Sequence, residues 1–96
     1  MKGERELRLW KRSLGLDAGR NIAASYTDGG SFWARLWPAA YERRGDGGRP
    51  RFLLVGDNNP PIEEGDRIEE GLLRYRALRV RSFPKHVEAL VEEEEG

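Results

Sequence analysis

Apolar and polar residues alternate with a period of two along much of this chain, in short runs separated by glycine and proline. Such alternation is typical of strands that bury one face. In residues 5–12, Leu7 and Leu9 share one face, and Arg8 and Trp10 share the other. The pattern predicts a first strand here.

Glycine-rich segments predict the first two turns. Residues 14–19 contain two glycines and predict a turn after the first strand. Residues 22–26 alternate again, and the following Asp28, Gly29 and Gly30 predict a second turn, because glycine adopts positive φ at low steric cost.

The predicted third strand, residues 31–37, carries aromatic residues on both faces. One face would pack in the core, and the other would contact a partner or a loop. Pro38 ends the strand, because proline has no amide hydrogen to donate. The two faces are Phe32, Ala34 and Leu36, and Trp33, Arg35 and Trp37.

Residues 39–51 predict a long, flexible, basic loop. Long loops in compact domains tend to be functional or disordered. The arginines could bind phosphates without sequence preference, pair with acidic groups of a neighbouring protein, or remain solvated. They are Arg43, Arg44, Arg49 and Arg51.

The second half of the chain predicts further short strands and a C-terminal tail. The first of these elements are a strand at 52–55 and a rigid turn at 56–61. Next come a strand at 62–68 with a corner at Gly65 and Asp66, and a strand at 72–82 with a bulge near Ala77. The last are a turn at 83–85, a strand at 86–92 with Val87, Ala89 and Val91 inward, and an acidic tail at 92–96. Together they favour an all-β fold: a partly open antiparallel barrel or sandwich of six or seven strands. A chain this short predicts one domain, residues 1–96.

Composition indicates a thin core. Apolar residues make up 38% of the chain and charged residues 35%, and there is no cysteine. Disulfides are therefore excluded, and the lone His86 cannot build a histidine zinc site. Oligomerisation is the remaining way to supplement a small core. No apolar run is long enough to span a bilayer, so we expect a soluble protein made in the cytoplasm, with no membrane partner.

The net charge of zero hides an uneven distribution. Residues 1–51 carry 11 basic and 6 acidic side chains, a net charge of +5, and residues 52–96 carry 6 basic and 11 acidic ones, a net charge of −5. Copies could stack head to tail, or the charges could intermix on the folded surface.

No catalytic constellation stands out. The densest carboxylate cluster could form a cation or acid–base site, but it lacks accompanying ligands and is more typical of a solvated turn. We therefore expect no enzyme activity, no cofactor and no bound metal. The cluster consists of Glu63, Glu64, Asp66, Glu69 and Glu70.

Four segments, in order and spacing, resemble the head–tail joining proteins of tailed bacteriophages. They are residues 31–38 with a continuation to Glu42, residues 62–68 (Ile-Glu-Glu-Gly-Asp-Arg-Ile), residues 73–80, and the closing strand at 86–93. The opening at 7–12 and 26–29 also fits. Ala77 stands where this family usually has a larger aliphatic residue, and the basic loop is shorter and more basic than expected.

The resemblance implies a small β-barrel that forms a ring of six or twelve copies at the phage neck. Such head-closure or stopper rings join the portal or adaptor ring of the DNA-filled head to a tail-terminator or tail protein, and they close the DNA channel. The four loop arginines would then face the lumen, packaged DNA or the adjoining ring. Trp10, Trp33, Trp37 and Glu42 become candidate subunit-interface residues, and Gly65 and Asp66 structural turn residues. The expected location is the head–tail junction of a virion.

Two alternatives stay open. A tail-completion or tail-terminator protein would form a ring at the same junction. A small nucleic-acid-binding β-barrel would use the basic loop, with Trp33 or Trp37 as a stacking platform. Zero net charge argues against the second, because such domains are usually basic.

Overall fold

A computed structural model describes residues 4–39 and 49–94. It confirms the all-β prediction, and the six strands are β1 (Arg5–Leu16), β2 (Ile22–Pro38), β3 (Arg51–Asp57), β4 (Arg67–Glu70), β5 (Leu73–Ser82) and β6 (His86–Glu94). All paired neighbours are antiparallel and the sheet closes on itself in the order β1-β2-β3-β6-β5-β4. Closure leaves the barrel wall without a free edge strand.

The inward positions of the strands fill the barrel with apolar side chains. The alternation predicted for the first strand, residues 31–37 and β6 is confirmed, since each has its predicted inner residues buried or packed against the core. The Phe52 and Tyr75 rings meet edge to face, with centroids 5.7 Å apart. The buried core consists of Leu7, Leu9, Phe32, Ala34, Leu54, Ile62, Ile68, Tyr75, Ala77, Val87, Ala89 and Val91.

The predicted turn at Asp28, Gly29 and Gly30 is wrong, because β2 runs without interruption from Ile22 to Pro38. The glycines instead form a bulge: Arg8 pairs with Ser31 and Trp10 with Asp28, so two residues of β2 face Leu9 alone. Gly30 has φ of 88°, which favours glycine. The bulge bends one long strand where the sequence predicted two short ones.

The first turn also lies later than predicted. β1 continues to Leu16, and Asp17 organises the turn by accepting hydrogen bonds from the amides of Gly19 and Asn21 at 2.9 Å each. Leu14 and Gly15 are therefore strand residues. The sequence pattern failed because a solvated hairpin tip carries the same small and polar residues as a loop.

The result is a β-hairpin arm, residues 13–25, that extends beyond the barrel. β4 pairs with β1 only from Arg8 to Trp10, and β3 pairs with β2 only from Ala34 onward. Among residues 4–39 and 49–94, neither edge of the arm therefore has a neighbouring strand. Every residue from 12 to 25 is exposed. At about 3.3 Å per residue, the arm projects roughly 13 Å past Arg12.

Other boundaries differ from the sequence prediction in the second half. β4 covers only Arg67–Glu70, so residues 62–66 are a loop instead of a strand. β6 extends through Glu94, so Glu92–Glu94 belong to a strand and not to a frayed tail; the carboxylates of Glu92 and Glu94 contact arginines on β3, β4 and β5. The predicted bulge near Ala77 is confirmed by a register shift between Ala77 and Arg79.

Within residues 4–39 and 49–94, no helix is long and apolar enough to cross a membrane.

The arm should open far more readily than the barrel, because its amides have few buried contacts to protect them. In the monomeric protein, we expect amides of residues 13–16 and 22–25 to exchange with deuterium much faster than those of β3 and β6. Hydrogen exchange read by mass spectrometry measures this. Equal protection of arm and barrel would contradict the assignment of the arm as an unsupported hairpin.

Candidate functional site

The carboxylate of Asp66 anchors the base of the arm. Asp66 is 2% exposed, and its Oδ1 accepts a hydrogen bond from the Arg12 amide at 2.9 Å. Its Oδ2 accepts from the Glu63 amide at 2.8 Å and from Lys11 Nζ at 2.5 Å. Trp10 is the last β1 residue paired with β4. Asp66 therefore binds β1 where the strand leaves the barrel.

The backbone of the same corner is held on a different strand. The Gly65 amide donates to the Ala77 carbonyl at 2.8 Å, and the Ala77 amide donates to the Asp66 carbonyl at 2.9 Å. Ala77 lies at the bulge of β5. The Gly65–Asp66 corner thus connects the base of the arm to β5.

Gly65 is required by its backbone conformation. Its φ is +90°, and a Cβ atom there would also meet the guanidinium group at the flexible end of Arg12. A side chain would strain the backbone and displace Arg12. The structure therefore explains why glycine precedes the buried aspartate.

Lys11 compensates the buried negative charge of Asp66. Its Nζ also donates to the Pro61 carbonyl at 2.6 Å and to Glu63 Oε1 at 2.8 Å. Burial alone would lower the pKa of Lys11, but hydrogen bonds and Coulomb attraction to Asp66 and Glu63 outweigh it, so the pKa is raised. The ammonium group thus stays charged at neutral pH.

The carboxylate cluster of the sequence does not form one site. Glu63 contacts Lys11, Glu69 contacts Arg74 and Trp10, and Glu70 contacts Arg5. These three carboxylates are each paired with a cation or a donor, whereas Glu64 lies exposed in the turn at 64–65, so the cluster does not form one cation site. Among the described residues, no group of three or more potential ligands could hold a metal ion.

Charges from the two halves of the sequence intermix on the folded barrel. Arg5, Lys11 and Arg51 of the first half pair with Glu70, Asp66 and Glu92 of the second, respectively. Strand pairing brings the halves together, because β1 neighbours β4 and β3 neighbours β6. The opposite net charges of the two halves therefore provide little force for stacking copies.

Two of the three candidate tryptophans lie on the outer surface. Trp33 and Trp37 are 53% and 46% exposed, and Trp37 pairs across the sheet with the exposed Leu53. We call Trp33, Trp37 and Leu53 the tryptophan face. Trp33 also lines a cleft of about 240 Å³ with Pro60 and Pro61.

Trp10 differs from these two tryptophans. It is half-buried at the base of the arm, and its indole nitrogen donates a hydrogen bond to Glu69 within the same chain. Arg67 lies close by, with its guanidinium carbon 4.3 Å from the centre of the Tyr26 ring. Contacts within the chain therefore occupy this part of the surface.

Only part of the basic loop falls within the described residues. Arg43, Arg44 and Glu42 lie outside them, and Arg49 is exposed. Arg51 was assigned to the loop, but it is the first residue of β3, and its Nε donates to Glu92 at 3.0 Å. Pairing with β6 extends β3 to this residue, so its guanidinium is already engaged.

Sequence reasoning placed Gly65 and Asp66 at a corner but missed Lys11 and Arg12 as their partners. The contacts join residues 54 and 55 positions apart. The sequence carried one usable signal: Lys11 occupies an inward position in the alternation after Leu7 and Leu9, and a charged inward residue requires a counter-charge. The apolar arm was missed because the glycines suggested a turn.

No protein-family model matches this chain, and no curated protein matches it. Among solved structures, a chain in the virion of a native gene transfer agent (GTA) particle is similar, with a TM-score of 0.69. The two chains share a fold. They are 19% identical, and the alignment covers 96% of each chain. The likeness therefore extends over the whole barrel.

Removing the Asp66 carboxylate should destabilise the barrel. Asp66→Ala leaves Lys11 and two amides without their acceptor, which we expect to cost about 2–4 kcal/mol. Glu64→Ala is the matched control, because Glu64 is an exposed carboxylate in the same loop. Urea unfolding followed by tryptophan fluorescence measures both variants. Equal stability of the two variants would contradict the role assigned to Asp66.

Proposed function

We propose that this chain is a structural component of a phage-like particle and has no catalytic role. The observation that carries the proposal is the fold shared with a chain of a GTA virion over 96% of both chains. The filled barrel supports it, because twelve buried side chains occupy the interior where a small barrel would otherwise bind a ligand. The buried carboxylate, Asp66, is fully engaged in structural contacts.

Within such a particle, we propose that copies of the chain form a ring that joins the DNA-filled head to the tail. The motif resemblance to head–tail joining proteins favours this position, and the fold shared with a virion chain favours a place in the particle. The exposed Trp33 and Trp37 support a role in assembly, since tryptophan is enriched where protein surfaces meet. A portal or adaptor ring on one side and a tail protein on the other are the proposed neighbours.

The basic loop would contact DNA or the adjoining ring in this arrangement. Because Arg51 is held by Glu92 in the barrel wall, the proposal now rests on Arg43, Arg44 and Arg49. Serine at Arg43, Arg44 and Arg49 tests this loop while the ion pair between Arg51 and Glu92 stays in place. Arg51→Ser would instead break an ion pair between β3 and β6, so it belongs outside the loop variant.

A nucleic-acid-binding barrel is the second candidate function. Exposed Trp33 and Trp37 favour it, because bases stack on indole rings. Acidic residues near them oppose it: Glu6 lies directly across from Trp33, and Glu4 pairs with Arg35 on the same surface. Salt-dependent binding of single-stranded DNA by the isolated chain, lost in Trp33→Ala, would favour this candidate.

Quantitative mass spectrometry of purified particles should find about six to twelve copies of the chain per particle, because a closed ring has cyclic symmetry. Deleting its gene should leave heads and tails unjoined, and the serine loop variant should lower DNA retention. Complementation with the wild-type chain is the control. Absence of the chain from particles would overturn the proposal.

The same deletion separates the two ring functions. Heads that package DNA and then lose it would indicate that the chain closes the head. Heads that keep their DNA, together with tails of irregular length, would indicate a tail-terminator ring. Normal joined particles in the deletion strain would contradict both.

A further inference from the structure

The arm carries an apolar surface that the other described residues leave uncovered. Strand register places Leu14 opposite Ala24 and Leu16 opposite Ile22, so these four side chains share one face. Leu16 and Ile22 are 71% and 76% exposed. The other face is polar, with the Ser13 and Ser25 hydroxyls 3.0 Å apart. We call the first four residues the arm face.

An uncovered arm of this kind is unfavourable. A two-stranded hairpin is marginally stable alone in water, and its free edges invite pairing with other chains. Clustered aliphatic side chains at its tip add to the cost of exposure. The arm therefore has the properties of a segment that a neighbouring protein covers.

The tryptophan face offers a matching surface on the barrel. Trp33, Trp37 and Leu53 present large apolar side chains on the outer side of β2 and β3. The cleft beside Trp33, lined by Pro60 and Pro61, can receive an aliphatic side chain. Partly exposed tryptophans next to such a cleft are typical anchors of protein interfaces.

The two surfaces cannot cover each other within one copy. Trp33 follows Ile22 by eleven residues on the same strand, which separates them by roughly 30 Å. A contact between the arm face and the tryptophan face therefore joins two different copies. Because the two surfaces differ, the contact is head to tail, and repetition produces a ring or a filament.

Charge around the two surfaces is complementary. Residues 12–25 carry Arg12 and Arg20 against Asp17, a net charge of +1. Glu6 lies opposite Trp33, Asp57 lines the cleft beside it, and Glu4 pairs with the nearby Arg35. Opposite charges at the rim orient two copies as they meet.

We propose that the arm face of one copy packs on the tryptophan face of the next copy, in a head-to-tail contact that closes into a ring. The occupant of both surfaces is a second copy of this chain. The closure into a ring at a particle neck rests on the function proposed above, but the contact itself does not.

Cross-linking tests the contact directly, because the chain contains no cysteine. The double variant Leu16→Cys with Leu53→Cys should give a ladder of multimers with a short bismaleimide, both in purified protein at high concentration and in particles. The matched control is Leu16→Cys with Leu72→Cys, because Leu72 is 99% exposed and lies outside both surfaces. The control should give much less multimer, because a cysteine at position 72 lies outside the proposed contact and is not brought close to the cysteine at position 16 of the next copy.

The outcomes are distinct. A ladder specific to the Leu16 and Leu53 pair supports the proposal. Strong dimer formation by Leu16→Cys alone would show arm-to-arm contact and overturn it, as would equal ladders in the control. Cross-links only to other particle proteins, or no ladder in either sample, would also overturn it. A specific ladder in purified protein with no chain in particles would reject the proposed function while leaving the contact standing.

Sedimentation of mixed variants checks the direction of the contact. Leu16→Glu removes the arm face and Trp37→Glu removes the tryptophan face, and each should weaken self-association about tenfold or more. A mixture of the two should form dimers but no larger species, because only one intact pair of surfaces remains. Leu72→Glu should behave as wild type. Rings in the mixture, or monomers only, would contradict the head-to-tail contact.

Discussion

The buried residue Asp66 connects the base of the arm, the loop at 62–66 and the bulge of β5. It binds the amide of Arg12, the ammonium of Lys11 and the amide of Glu63, while its own carbonyl holds the bulge of β5. A buried carboxylate is costly unless each oxygen is paired, and here both oxygens are. The corner also completes the wall where β4 stops pairing with β1. The arm can extend into solvent because its base is fixed there.

Because apolar side chains fill the barrel interior, contacts with other molecules would lie on the outer surface. With the core positions packed by aliphatic and aromatic side chains, the arm face and the tryptophan face are two exposed apolar surfaces of the described residues. Carboxylates that resembled a site in the sequence are distributed among ion pairs across the sheet. These ion pairs stabilise the barrel wall, and the exposed apolar surfaces are available to neighbouring proteins. A subunit of a ring would need a stable wall and such surfaces.

The sequence predicted the elements that depend on alternation and misjudged those that depend on glycine. The strand with Phe32 and Ala34, the bulge near Ala77 and the last strand follow from period-two patterns, and each is present. Asp28, Gly29 and Gly30 were misassigned because positive φ serves a bulge as well as a turn. The partners of Asp66 could not be predicted, because pairing over more than fifty residues depends on the sheet order.

The most direct test of this account is a cryo-electron microscopy reconstruction of particles from the organism that encodes the chain. The account predicts a ring of these barrels between the head and the tail, with the arm of each copy over Trp33 and Trp37 of the next. Location of the chain elsewhere in the particle, or barrels at the neck with their arms directed away from one another, would contradict it.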